Sequence, residues 1–302
     1  MNYNIKKKDH HFNLFFLPIL RKHNIPSVTD PTQEGFFCSS RTVGKYCINF
    51  VRFDCFFFFN KISTTLMLRE CPYYPKSHLF KSIDELNNGD KLDKNKYYFV
   101  KPKHGGRSTN ISYFKGKEAL IMRGGQLRFP LIFQEEILDM KKEEGRRYDL
   151  RVHVIYIKTL NGLKGYYYND VIKRLTFKGD NNLNSDNIFT NVDDSKKETE
   201  KILRDYNNEN LLNTLKSASS LMKDRLSKQK RYRELEILIV GYDIMIDKND
   251  KHWILEINCN PCMYYPGWKQ KVINQMMEEI YEMILSYHQT KQFVTNKFIK
   301  IL

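Results

Sequence analysis

No apolar run in the 302-residue chain approaches the roughly 20 residues that cross a bilayer as a helix, and the richest stretch, Cys47 to Phe59, is broken by Arg52 and Asp54. The expectation is a chain with no membrane span and no membrane partner. An export leader is not read either. Lys6-Lys7-Lys8 and the short run Phe12 to Leu20 have its outline, but Pro18 interrupts them, Arg21-Lys22 follow at once and no small-residue cleavage site comes after. Cysteine is sparse, at six residues, and Cys259-x-x-Cys262 finds no second CxxC or histidine pair at matching spacing, so neither a zinc knuckle nor a redox site is completed. Four of the six sit in aromatic-rich surroundings that suit buried free thiols, which places the chain in a reducing, cytoplasmic setting. Acidic residues are in deficit, 35 against 50 lysines and arginines, for a formal charge of +15. Such an imbalance asks for an anionic partner: nucleic acid, a membrane surface, nucleotide phosphates or an acidic protein.

What is abundant is aromatic. Tyrosines number 19 and phenylalanines 20, and 41% of residues are hydrophobic, far too many for a disordered polybasic tail. The length makes two folded domains the default. Residues 1–70 are basic and Phe-rich with turn signals at Pro26, Pro31 and Gly35, and carry no legible function. Beyond them, Phe80 to Leu86 predicts a short helix capped by Ser82 with Glu85 three residues on. Tyr97 to Val100 predicts a strand ending in Lys101-Pro102. Further strand-like runs are Leu131–Leu138, Leu150–Ile157, Gly165–Phe177, Leu235–Ile246 and Trp253–Ile257. Apolar residues at three-to-four spacing predict two long helices, one through Leu211, Leu215, Ala218 and Met222, the other from Val272 to Tyr287. Their methionines read as core packing. Mixed strands and helices indicate α+β architecture.

Two segments carry chemistry. Gly241 to Asn258 predicts an antiparallel hairpin turning between Asn249 and Asp250, a register that sets Asp243 opposite Glu256 with Asn258 on the same face. Facing carboxylates repel, so something positive must sit between them. Oxygen donors without His or thiolate suit Mg²⁺ or Mn²⁺, and Mg²⁺ completes its shell with water and phosphate. The alternatives are a solvent-facing hairpin with scattered acids and a carboxylate pair neutralised by a lysine. The second segment, Arg146 to Val154, alternates so that Asp149, Arg151 and His153 share one face. A turn at Asn161-Gly162 would set Asp149 opposite Arg174 and His153 opposite Asp170. Arginine forks there match phosphate geometry, although cross-strand salt bridges would use the same residues. Upstream, Lys101 stands at a strand end before Gly105-Gly106-Arg107, a loop of the kind that brings backbone N–H groups to phosphates.

Taken in order, these segments resemble the tubulin–tyrosine ligase-like family of ATP-grasp ligases. Lys101-Pro102 with Gly105-Gly106-Arg107 resembles its strand lysine and phosphate-covering loop. Phe133-Gln134-Glu135-Glu136-Ile137 resembles the segment joining its two lobes, Arg147-Tyr148-Asp149-Leu150-Arg151 its basic-aromatic-Asp-aliphatic-Arg strand, and Phe189-Thr190-Asn191 its threonine-asparagine motif. Gly241-Tyr242-Asp243 and Leu255-Glu256-Ile257-Asn258-Cys259-Asn260-Pro261 resemble its Mg²⁺ segments. The likeness covers roughly residues 72–268; Ser108 and Asn110 depart from the loop's glycines, and Glu135 from a position that is often basic.

The resemblance implies an ATP-grasp fold of two α+β lobes clasping ATP: a divergent region 1–71 that helps bind an acceptor, a central lobe 72–136 and a C-terminal lobe 137–302. It implies that Lys101, Gly105 and Gly106 meet the ATP phosphates, that Gln134, Glu135 and Ile137 line the adenine pocket, and that Arg147 and Asp149 lie near the ribose or on the acceptor side. Arg151 and Arg174 would stabilise the transferred phosphoryl group, and Asn191, Asp243, Glu256 and Asn258 would hold Mg²⁺. The chemistry implied activates a carboxylate as an acylphosphate, which the amine of a free amino acid (Glu, Gly or Tyr) attacks to form an amide. The implied partner is an acidic protein acceptor, the tubulin tail first, in the cytoplasm beside the cytoskeleton. Alternatives are an ATP-grasp ligase for a small carboxylate or another protein, and a non-catalytic nucleic-acid or microtubule binder using the basic run Lys223 to Arg233.

Overall fold

The computed structural model describes residues 3–4, 17–25, 35–39, 44–49, 60–88, 91–103, 111–116, 128–175, 200–228, 234–258, 261 and 268–302. The first elements are β1 (Tyr3–Asn4), α1 (Leu17–Lys22), β2 (Gly35–Ser39), β3 (Gly44–Asn49) and α2 (Lys61–Leu68). Next come β4 (Ser77–Phe80), α3 (Ile83–Asn88), β5 (Tyr97–Pro102), β6 (Ser112–Lys115) and β7 (Leu131–Glu135). Then follow β8 (Lys142–Glu143), β9 (Arg146–Thr159), β10 (Gly162–Tyr168), β11 (Val171–Leu175), β12 (Glu200–Leu203) and α4 (Glu209–Lys228). The chain closes with β13 (Leu235–Ile246), β14 (His252–Asn258), α5 (Trp268–Thr290) and β15 (Phe298–Lys300).

These elements form two sheets, an α+β arrangement. A four-stranded antiparallel sheet has the order β4-β7-β5-β6. Strand alternation buries Tyr98 and Val100 of β5 with Phe80, Leu86, Leu131 and Phe133, and turns Tyr97, Phe99 and Lys101 to the other face. Helix α3 begins as its sequence dictates: Glu85 N–H donates to Ser82 Oγ at 3.2 Å, and the Glu85 carboxylate accepts from Lys81 N–H at 2.7 Å.

The larger sheet has eleven strands with the central order β1-β2-β3-β13-β9-β10-β15. Its central strands β9 and β13 are buried on both faces, chiefly by one long helix on each. Leu150, Val152 and Val154 of β9 pack with Val240 and Tyr242 of β13 against Leu211, Leu215, Ala218 and Met222 of α4. Ile155 and Ile157 of β9 pack with Ile237 and Ile239 against Val272, Ile273, Met276, Met277 and Ile280 of α5. The periodic methionines are core, as their spacing indicated. Asp149, Arg151 and His153 lie on the same face of β9 as Ile155 and Ile157, and they supply the polar end of that face. Strands of the first 71 residues join this sheet through the parallel pairing of β3 with β13, and Leu68, Cys71 and Tyr74 enter the α4 core. Among the described residues no helix is long and apolar enough to cross a membrane.

Two registers differ from expectation in instructive ways. The β13–β14 hairpin pairs Ile246 with His252 and Ile244 with Ile254, then shifts so that Asp243 faces Glu256 and Gly241 faces Asn258. Leu255 is the extra residue of a bulge, and without it Asp243 would face an apolar side chain. The β9–β10 turn falls at Leu160-Asn161, one residue before the Asn161-Gly162 position the sequence suggested, since Thr159 pairs with Gly162. Asn169-Asp170 then divide the predicted Gly165–Phe177 strand into β10 and β11, and the two-residue insertion brings Arg174 opposite Asp149. His153 does not meet the Asp170 carboxylate as expected. That carboxylate instead accepts from Arg204 Nη1 at 2.6 Å, from Lys297 Nζ at 2.9 and 3.0 Å, and from Asp205 N–H at 3.0 Å.

Candidate active site

On the large sheet, β9, β11 and β13 lay four charged side chains in a row, Asp149, Arg174, Asp243 and Arg151. All are at most 6% exposed. Arg174 Nε donates to Asp149 Oδ1 at 2.7 Å, and its Nη2 reaches both Asp149 Oδ2 and, at 2.9 Å, Asp243 Oδ1. Arg151 Nε donates to Asp243 Oδ1 at 2.5 Å and Nη2 to Oδ2 at 3.1 Å, while Asn258 Nδ2 donates to Oδ2 at 3.2 Å. Of the two facing carboxylates, Asp243 thus receives its positive charge from two arginines, and Glu256 acts on the Lys101 ammonium of the other sheet. Burial pushes the Asp243 carboxyl up, but Arg151 and Arg174 overcome it and hold the group below its ordinary value. Arg151 can lie there because β13 has glycine at 241: a Cβ at that position would stand 2.9 Å from Pro261 Cβ and 3.0 Å from Arg151 Cδ.

The small sheet contributes the opposite wall. Lys101 Nζ donates to Gln134 Oε1 at 2.6 Å and to the carbonyl of Leu255, the bulge residue of β14, at 3.3 Å. The bulge that aligns Asp243 with Glu256 therefore also turns a backbone acceptor toward the lysine of the other sheet. Burial lowers the Lys101 ammonium to about 8, with Lys61 adding to the effect and Glu256 and Asp243 opposing it. Gln134 is buried, and its Nε2 has no hydrogen-bond partner; the neighbouring Tyr74 hydroxyl is bonded to Thr65 Oγ1 at 2.9 Å. Arg147 Nη1 is likewise buried without a partner, while its Nη2 donates to Glu136 Oε1 at 3.2 Å. Buried donors left unpaired cost free energy unless a ligand or water takes them.

Lys101, Gln134, Glu256, Asp243, Asn258, Arg151, Arg174 and Asp149 therefore come together across the two sheets. Glu135 turns its side chain to the other face of β7, where Lys96 Nζ lies at 2.8 Å and Lys76 Nζ at 3.9 Å. Ile137 is half-buried just past β7. Gly105, Gly106 and Asn191, with Cys259 and Cys262, lie outside the described residues. His153 is a buried neutral ring rather than a base: burial, then Arg151, lowers it to about 3. Sequence reasoning missed Lys61, Tyr74 and Gly241. Only the glycine left a signal, as a lone glycine within an apolar strand that marks close approach.

The donor set can be tested for a divalent cation. Asp243, Glu256 and Asn258 share one face of the hairpin, two carboxylates and an amide with no soft ligand. Among the described residues no group of three His, Cys, Asp or Glu is gathered as a closed metal cage. A set of two carboxylates suits Mg²⁺, which keeps water and substrate phosphate in its remaining positions, so the residues fit.

The chain matches the family described as YheC/D like ATP-grasp over residues 122–290, more than half its length. It is 24% identical over 265 residues to tubulin glycylase 3D of Tetrahymena thermophila, an alignment covering 72% of this chain and 25% of that protein. It is 22% identical over 218 residues to tubulin glycylase 3C of the same organism, covering 63% of this chain and 19% of that protein. The chain spans a quarter or less of the length of these curated relatives. With two α+β sheets meeting across a lysine on one side and an arginine–carboxylate row on the other, and a family match over most of the larger sheet, this chain belongs to the ATP-grasp family.

Proposed function

We propose that the chain is an ATP- and Mg²⁺-dependent carboxylate–amine ligase that adds an amino acid to an acidic protein tail, with tubulin as acceptor and glycine as the amino acid. The observation that carries the nucleotide is the pair of buried donors with no protein partner, Gln134 Nε2 beside Lys101 and Arg147 Nη1 toward the other end of β5. The similarity to two tubulin glycylases supports the acceptor and the amino acid. In this reading Lys101 neutralises phosphate oxygens, while Arg151 and Arg174 draw the acceptor carboxylate and the γ-phosphoryl group together. A carboxylate oxygen attacks the γ-phosphorus and ADP leaves; the amine then attacks the acyl carbon, phosphate leaves and a proton is lost as the amide forms. Asp243, Glu256 and Asn258 would hold Mg²⁺, which would supply neutralisation of the phosphate charge. The remaining surplus of the +15 charge attracts an acidic tail without specifying it, in a protein working in the cytoplasm beside the cytoskeleton.

Incubation with Mg-ATP, tubulin and labelled glycine, glutamate or tyrosine tests this reading. Glycine is expected to enter tubulin, and Glu256→Gln to abolish its entry. Labelling by none of the three overturns the tubulin reading, and labelling by glutamate or tyrosine alone overturns glycine.

A further inference from the structure

Between the two sheets, at the opposite end of β5 from Lys101, three side chains from separate elements meet. Tyr113 of β6 donates its hydroxyl to Glu136 Oε2 at 2.6 Å, and Arg147 at the start of β9 donates Nη2 to Glu136 Oε1 at 3.2 Å. Glu136 sits in the segment that leaves the small sheet for the large one, and its N–H donates to the Tyr97 carbonyl at 2.9 Å. Its side chain is 10% exposed and that of Arg147 is 20%. The Tyr113 ring is itself immobilised, stacked on Tyr97 at 5.1 Å between centroids and 11° between planes, with Phe99 at 5.0 Å. Each carboxylate oxygen of Glu136 thus takes one donor, one from each sheet. Neither of these contacts involves an atom that the proposed chemistry uses.

Resting on the nucleotide reading above, we propose that Glu136 is a positioning residue: with Tyr113 it latches the four-stranded sheet to the eleven-stranded sheet and fixes the guanidinium of Arg147 so that its unbonded Nη1 faces the nucleotide. The reasons are geometric. A guanidinium is a rigid fork, so tying Nη2 to Glu136 sets the direction of Nη1. That nitrogen is buried without a partner, which is costly in an empty cleft and useful once an oxygen-bearing ligand enters. Glu136 is also the only residue of the three that is bonded to both others, so its loss releases both sheets. Burial and the donated bond to Glu136 both push the Tyr113 phenol upward, which keeps the donor protonated at neutral pH. Anchoring from two sheets restricts relative motion of the walls more than either sheet's own bonds would.

The test uses the full chain with Tyr113→Phe, which keeps the ring stack and loses the O–H, and Glu136→Gln, which keeps the shape and loses the charge. Two readouts are taken: hydrogen exchange without nucleotide at residues 112–115 and 146–149, and calorimetric affinity for Mg-ATP. Faster exchange at both segments is expected in each variant, with Mg-ATP Kd raised roughly three- to tenfold, the span of one typical hydrogen bond. The rate of ATP consumption at saturating nucleotide is expected to stay at the parent value, which separates positioning from general damage. Unchanged exchange in both variants overturns the latch. Faster exchange with unchanged affinity overturns the role given to Arg147. A parent chain that binds no Mg-ATP while its variants exchange faster overturns the nucleotide reading instead, and supports the latch on its own.

Discussion

The two walls of the cleft are built on opposite electrostatic plans. On the large sheet, every strong charge in the row Asp149, Arg174, Asp243 and Arg151 already faces one of opposite sign, at 2.5–2.9 Å and out of water. On the small sheet, Lys101 leans on neutral acceptors only, an amide oxygen and a backbone carbonyl, with Lys61 close enough to oppose its charge and a buried amide donor unpaired beside it. The first wall is a rigid, self-neutralised frame. The second is short of negative charge, and an anion improves it. Removing a charge from the first wall therefore exposes a buried opposite, whereas removing one from the second relieves a strain and costs only ligand.

The largest expected effect comes from breaking the neutral wall. Arg174→Ala takes a bidentate partner from Asp149 and one partner from Asp243, and urea unfolding is expected to show a loss of about 3–5 kcal/mol, the usual cost of breaking a buried ion pair by removing one member. The corresponding change on the other wall, Lys101→Met, is expected to leave stability near the parent value while Mg-ATP affinity falls roughly 10–100-fold, as for a hydrogen bond to a charged group. Equal stability losses in the two variants would erase the contrast.

The pH dependences run in opposite directions. Asp243 titrates below its ordinary value of 3.8 in the folded chain, so its stabilising effect is fully present above that value and is lost as pH falls through the lowered one. Acid unfolding of the parent is expected to be steeper than that of Asp243→Asn, followed by circular dichroism. Lys101 loses its proton near 8 in the free protein, so Mg-ATP affinity is expected to weaken as pH rises through about 8 and to flatten in Lys101→Met. A flat parent profile between neutral and mildly alkaline pH would remove Lys101 from the phosphates.

Much of this contrast is legible from residue order. Strict alternation in Arg146 to Val154 puts Asp149 and Arg151 on one face, and the acids of the last hairpin face each other because local register survives translation into a sheet. Both pairings nevertheless rest on irregularities that no period announces, the Leu255 bulge in one case and the Asn169-Asp170 insertion in the other. The Arg151–Asp243 fork joins residues 92 apart in sequence, and the Lys101–Leu255 contact residues 154 apart. Such contacts are set by how β13 lies beside β9 and by how the two sheets meet, which pattern does not encode. Lys61 and Tyr74 were hidden for that reason: they precede every recognisable motif, and only packing brings them to the site.

A smaller effect sharpens the description of the neutral wall. Gly241→Ala places a methyl against Pro261 and Arg151 and is expected to cost about 1–3 kcal/mol as an overpacked position. Because the displaced group is Arg151, ATP consumption is expected to fall further than stability alone explains, measured where the variant is fully folded. Full turnover in the folded variant would mean that Arg151 serves the frame and not the chemistry.

The smallest effect belongs to the small sheet away from the cleft. Ser82→Ala removes the acceptor for Glu85 N–H at the start of α3 and is expected to cost about 1 kcal/mol. Helix α3 buries Leu86 in the core of the four-stranded sheet and has no side chain in the arginine–carboxylate row. The loss should therefore appear in hydrogen exchange of β4, β5 and β7, with the central strands β9 and β13 unaffected. Loosening of all these strands together would show that the two walls share one cooperative unit, and the electrostatic difference between them would then be a difference of chemistry within a single folding body.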